Sequence, residues 1–175
     1  EDFGDTSPVA LWHYFGFALN GRNMPLPQPV ARKPLHTRNI LCEGYQRDDG
    51  LWDIEARLVD TKSYEFPNQD RGGVIRPGEA LHDLSIRITL NTEMVIQQAL
   101  SVSDFTPFDY CKNAGRNFDC LLGLQIAPGW MRRVQQCIGG TRGCTHLTEM
   151  LKTIATTAFQ TMSYARMDNP REQAK

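Results

Sequence analysis

The sequence predicts an α+β fold: a four-stranded antiparallel meander, built from two hairpins, followed by three helices packed on one face of the sheet. Two observations predict it. Apolar and polar residues alternate with period two through the first half of the chain, and after Pro107 the apolar spacing lengthens to three and four residues. Turn signals punctuate the first half where a meander needs them, and the Gly139-Gly140 pair punctuates the second.

The first strand opens near Thr37, where Ile40, Cys42 and Gly44 alternate with Asn39, Leu41 and Glu43. Asp48-Asp49-Gly50 is a hairpin signal. The return strand, 51–61, puts Trp52, Ile54, Ala56 and Leu58 on one face, with Asp53, Glu55, Arg57 and Val59 opposite. Residues 64–79 form a long loop rich in Pro, Gly, Asn and Asp, a kind of segment that often carries function. Leu84, Ile86, Ile88 and Leu90 mark a third strand, Asn91-Thr92-Glu93 a turn, and 94–103 a fourth strand. Helices are expected over 113–124, over 128–138 with Pro128 in its first turn and Gly139-Gly140 past its end, and over 144–164. The last carries Leu147, Met150, Leu151, Ile154, Ala155, Ala158, Phe159 and Met162 at helical spacing, a stripe suited to cover the sheet.

Length and charge bound the function. The 175 residues suit one domain with a real core, expected over 24–165, with a polar tail over 166–175. Residues 1–23 read as an extension: either Met24 is the natural start, or the apolar run around Trp12, Tyr14 and Phe15 is a docking helix. Asp2 and Asp5 have the wrong sign for a secretory leader. A net charge of −1 leaves no footprint for nucleic acid or an anionic membrane, and no apolar run reaches the ~18 residues a spanning helix needs. Five cysteines, an odd number, argue for reduced thiols in a cytoplasmic setting rather than a disulfide framework. A small-molecule substrate is the expected partner, and a homo-oligomer is left open.

The most specific local sequence is Gly139-Gly-Thr-Arg-Gly-Cys144-Thr-His146-Leu147. A thiol at the start of a helix meets free backbone N–H groups and the positive end of the dipole, both of which favour the thiolate. The same residues also suit a plain helix stop followed by a small buried cysteine. His82 stands at the start of the third strand and Cys111 beyond the fourth, so one end of the sheet could gather His82, Cys111 and Cys144 as ligands for divalent zinc or iron. Asp83 or His146 would add a ligand or orient the others. In the long loop, Tyr64 and Arg71 are further catalytic candidates, Arg71 as a bidentate clamp on a substrate carboxylate. His36, ahead of the first strand, reads as a capping or surface residue. Trp52 reads as core and Asp53 as solvent face.

The stretches Leu35-His-Thr-Arg38, Asp49-Gly-Leu-Trp-Asp53, Arg57-Leu-Val-Asp-Thr61, Asp70-Arg-Gly-Gly73, Ile126-Ala-Pro-Gly-Trp130 and Gly139 to Leu147 resemble a bacterial family known only as a domain of unknown function, DUF2889. The resemblance covers most of the domain. It implies no activity, beyond a setting in the breakdown of small, aromatic intermediates. More distantly, 82–159 resembles the iron–sulfur scaffold fold of the IscU/SufU type. That resemblance places Cys111 and Cys144 where two scaffold cysteines stand, with His82 in place of a third.

Together these readings point to a metal-dependent lyase or hydrolase. A metal or iron–sulfur carrier without catalysis, and a metal-free cysteine enzyme using Cys144 with His146 or His82 as base, are the alternatives.

Overall fold

The computed structural model describes residues 27–113 and 115–167. The extension expected over 1–23 lies outside them, and so does the tail apart from its first two residues. Pro34 onward forms one compact unit. Residues 27–33 belong to a separate one and are exposed coil.

The meander is present. Strands β1 (His36–Gln46), β2 (Trp52–Lys62), β5 (Ala80–Leu90) and β6 (Ile96–Phe105) pair antiparallel in the order β1-β2-β5-β6. The long loop between β2 and β5 holds a small ribbon of its own, β3 (Phe66–Asn68) against β4 (Gly73–Ile75). The first hairpin closes through a hydrogen bond from the Arg47 N–H to the Leu51 carbonyl, with Gly50 at φ 82°. In the second, the Asn91 side-chain oxygen accepts the N–H groups of Glu93 and Val95, and β6 begins two residues later than the alternation suggests.

Among the described residues two α-helices follow, not three: α1 (Trp130–Ile138) and α2 (Thr145–Met167). The segment expected as a first helix holds 3-10 turns at Asp109–Asn113 and Phe118–Leu121 instead. Asn113, Gly115 and Asn117 are poor helix formers, and Phe118 and Leu121 are buried from a single turn, which meets the apolar spacing without a full helix. The reduced-thiol expectation is also corrected. Cys120 in the second turn is disulfide-bonded to Cys137 in α1, with Cα atoms 5.9 Å apart, while Cys42, Cys111 and Cys144 are free.

The core lies between the sheet and the helices. Trp52, Ile54, Ala56 and Leu58 of β2 and Leu84, Ile86, Ile88 and Leu90 of β5 are all buried. Leu147, Met150, Leu151, Ile154, Ala158 and Met162 cover them from α2, and Trp130, Val134 and Ile138 from α1. The helix approaches β1 closely at Gly44, where a Cβ would collide with the Thr161 side chain. No described helix is long and apolar enough to cross a membrane.

Candidate metal centre

In antiparallel strands, directly opposed residues share a face. Ile40, Leu58 and Leu84 form one apolar rung across β1, β2 and β5, and two residues further along Arg38, Asp60 and His82 form the next on the same face. That rung is polar because the covering helix starts there: beyond Leu147 the sheet meets the polar first turn of α2 rather than its apolar stripe. Immediately past it the β2–β5 register slips, Asp60 pairing with His82 and Thr61 with Ala80. Such a bulge re-aims side chains at a sheet end.

Asp60 is 1% exposed and is the hub of the cluster. Arg38 grips it with both ends of its fork, Nε to Oδ1 and Nη2 to Oδ2, each at 2.8 Å. The His82 Nδ1 lies 3.1 Å from Oδ2, the His36 Nε2 lies 3.4 Å from Oδ1 and the His146 Nε2 lies 3.9 Å from Oδ2. Three of the four histidines in the chain thus surround one carboxylate. The remaining Arg38 nitrogen, Nη1, donates to Glu149 at 2.8 Å. Glu149 and His146 are three residues apart on the first turns of α2 and face the same way.

The electrostatics keep the His82 and His146 imidazoles neutral. Burial and the neighbouring His146 lower the His82 pKa to about 4, against the pull of Asp60. Burial and Arg38 lower His146 as well. Burial pushes the Asp60 carboxyl up, but hydrogen bonds and charge from Arg38, with His82 and His36, more than offset this and hold it below its ordinary value. The His82 and His146 rings lie 3.9 Å apart, centre to centre. Two neutral imidazoles beside an ionised carboxylate are a donor set for zinc or ferrous iron. One donor atom each from Asp60, His82 and His146 lies within 4.8 Å of the other two, so a single ion could be held between them.

Cys144 borders this group. Its carbonyl accepts the first backbone bond of α2, from the Thr148 N–H, and its Sγ lies 3.6 Å from the His146 Nδ1. Gly143 is needed just before it, because a Cβ there would strike the Ile138 carbonyl. Cys111 is close enough to Cys144 for charge repulsion to add to burial in raising its own pKa. Cys144 thus reaches His82 through His146, whose ring lies 3.9 Å from the His82 ring. Among the described residues, however, the closely spaced donor set is Asp60, His82 and His146.

The other candidates stand elsewhere. Asp83, one residue beyond His82, points from the opposite face, where it accepts both ends of the Arg57 fork at 2.6 and 2.8 Å. Arg71 lies over the Phe105 ring and donates to the carbonyls of Ala80 and Thr106, which ties the start of β5 to the end of β6. Tyr64 is exposed and accepts a hydrogen bond from Lys62. His36 begins β1 and reaches Asp60, so it is more than a surface cap. A 480 Å³ apolar groove beside Trp130, Lys152 and Phe159 contains none of the cluster residues.

A family model for a protein of unknown function, DUF2889, matches residues 36–160. The chain belongs to the DUF2889 family. The match takes in every residue of the Asp60 cluster, from His36 to Glu149. No curated protein and no solved structure matches this DUF2889 chain, so the likeness to the iron–sulfur scaffold has no support in its fold.

Sequence reasoning missed Asp60, Arg38 and His36. A signal for Asp60 was present: Trp52, Ile54, Ala56 and Leu58 mark the buried face of β2, and the next position on that face is a carboxylate. A charge in core register demands partners, and Arg38 and His82 are the residues opposite it in the two neighbouring strands.

Proposed function

We propose that the protein is a metal-dependent enzyme, a lyase or hydrolase acting on a small substrate, with Asp60, His82 and His146 holding one divalent zinc or iron ion. The convergence of a buried carboxylate and two neutral imidazoles carries this reading. An ion there supplies Lewis acidity toward a substrate oxygen or a water. Asp60 contributes the negative charge of the donor set. Cys144, beside His146, is the candidate for a further ligand, and the exposed His36 is placed to move a proton at the rim. The donor set is mainly nitrogen and oxygen, which favours a mononuclear ion over an iron–sulfur carrier.

Elemental analysis of the untagged protein tests the proposal. One equivalent of zinc or iron without labile sulfide is expected, falling to near zero in His82→Ala. Metal-free protein, or a content unchanged by that substitution, would overturn it.

One observation favours a second reading. Cys144, His146 and Asp60 stand in line, 3.6 Å from Sγ to Nδ1 and 3.9 Å from Nε2 to Oδ2, the order of a nucleophile, base and orienting carboxylate. Metal-free protein with a single fast-alkylating thiol at Cys144 would favour it.

A further inference from the structure

Asp60 is crowded in this structure: it is hydrogen-bonded twice to Arg38 and once to the His82 Nδ1, and the His36 Nε2 stands 3.4 Å away. A carboxylate offers about four lone-pair positions. Oδ1 faces the Arg38 Nε and the His36 Nε2, and Oδ2 faces the Arg38 Nη2 and the His82 Nδ1, with the His146 Nε2 beyond. Arg38 holds both oxygens of this carboxylate, so a cation that binds either one competes with it. Arg38 is the donor that carries a permanent positive charge, and it is the one a second cation repels most strongly.

Resting on the metal-centre reading, we propose that Arg38 is an exchangeable counter-ion: a divalent cation displaces it from Asp60, and its freed Nε–Nη2 edge then binds the carboxylate of an anionic substrate beside the ion. Arg38 does not leave the site when displaced, because Nη1 stays on Glu149, whose side chain is 50% exposed at the rim. The vacated edge is the one now paired with both oxygens of Asp60, so it already has the geometry for a bidentate carboxylate. Arg38 is itself one-third exposed, within reach of a molecule arriving from solvent. In the metal-free protein Arg38 thus balances the charge of the ionised Asp60 in place of the ion, and substrate capture follows metal binding. The inference names a carboxylate-bearing small molecule as the substrate class and Arg38 as its positioning residue.

Calorimetric titration of the full chain with zinc, and then of the zinc-loaded protein with acetate, separates the possibilities. Arg38→Gln removes the competitor, so zinc affinity should rise about tenfold, the scale on which one neighbouring charge shifts the occupancy of a carboxylate. Acetate binding, measurable in the wild type, should be lost. Arg38→Lys keeps the charge without the fork: zinc affinity should stay near wild type while acetate binding weakens severalfold. Zinc affinity unchanged or reduced in Arg38→Gln, or acetate binding equal to wild type in either variant, overturns the role of Arg38 and leaves the metal centre standing. A wild type that binds no zinc overturns the metal centre itself. If circular dichroism shows Arg38→Gln unfolded, the acetate affinity of Arg38→Lys decides.

Discussion

Asp60 and His82 face one another across β2 and β5, and the His82 Nδ1 lies 3.1 Å from the Asp60 Oδ2 with both side chains at least nine-tenths shielded from solvent. A carboxylate and an imidazole in core register on adjacent strands are costly to bury without a use for them. The cluster is satisfied because Arg38, from β1, closes the rung on the other side.

Asp60→Asn removes the negative charge and one of the two oxygens that accept from the Arg38 fork. Arg38 keeps Glu149 and partial access to water, so the loss should be about 2 kcal/mol, below the range for a fully buried pair. Urea unfolding at pH 7 measures it. Metal content should fall to near zero in the same variant. Asp83→Asn breaks an ion pair of similar geometry on the opposite face and should leave metal content unchanged.

Acid should weaken the metal-free protein through His82. Its pKa is about 4 in the fold, against an ordinary value of 6.5. Between those values the unfolded chain takes up a proton that the folded chain refuses, so stability is complete above pH 6.5 and declines as pH falls toward 4. From pH 7 to pH 5 the decline should be roughly 2 kcal/mol, and the lowered pKa of His146 acts in the same direction. Unfolding curves for His82→Gln at the two pH values should show a smaller decline, since the His82 contribution is gone. An equal decline in both proteins would remove His82 as the cause.

The Cys120–Cys137 bond ties the Phe118–Leu121 turn to α1 across 17 residues. A loop of that length corresponds to about 3 kcal/mol of stabilisation. Alkylation under denaturing conditions should label three cysteines before reduction and five after it, as read by intact mass. The double variant Cys120→Ser, Cys137→Ser should melt lower by several degrees. Five thiols labelled without reduction would contradict the pairing.

Zinc should protect Cys144. Its sulfur lies next to His146, so an ion on that imidazole either binds the thiol or screens it. Iodoacetamide labelling of Cys144, followed by peptide mass, should slow on zinc addition. Cys42, which packs against the core beside β2, should react at an unchanged rate.

Much of the fold was legible because period-two alternation and turn chemistry are local signals. Trp52 to Leu58 and Leu84 to Leu90 fell on the buried face as their spacing required. The absent third helix was a harder case. Phe118, Leu121 and Leu122 match helical spacing, but Leu122 is 46% exposed, and glycine and asparagine in the segment weaken a helix that tertiary contacts do not need. The site was partly legible. His82 and His146 were singled out, and Cys144 was placed correctly at the start of the last helix. Asp60 was not legible as a site residue because its partners come from strands 22 residues away in either direction. Only the register brings Arg38, Asp60 and His82 onto one rung. The Cys120–Cys137 pair escaped for a similar reason: an odd cysteine count says nothing about which sulfurs meet.

The most direct test of the metal centre is anomalous diffraction at the zinc absorption edge from crystals grown with zinc. One peak is expected at bonding distance, about 2.0–2.2 Å, from Asp60, His82 and His146, with the Arg38 fork withdrawn from the carboxylate. Anomalous density absent from that position, or found only at surface residues, would contradict the account.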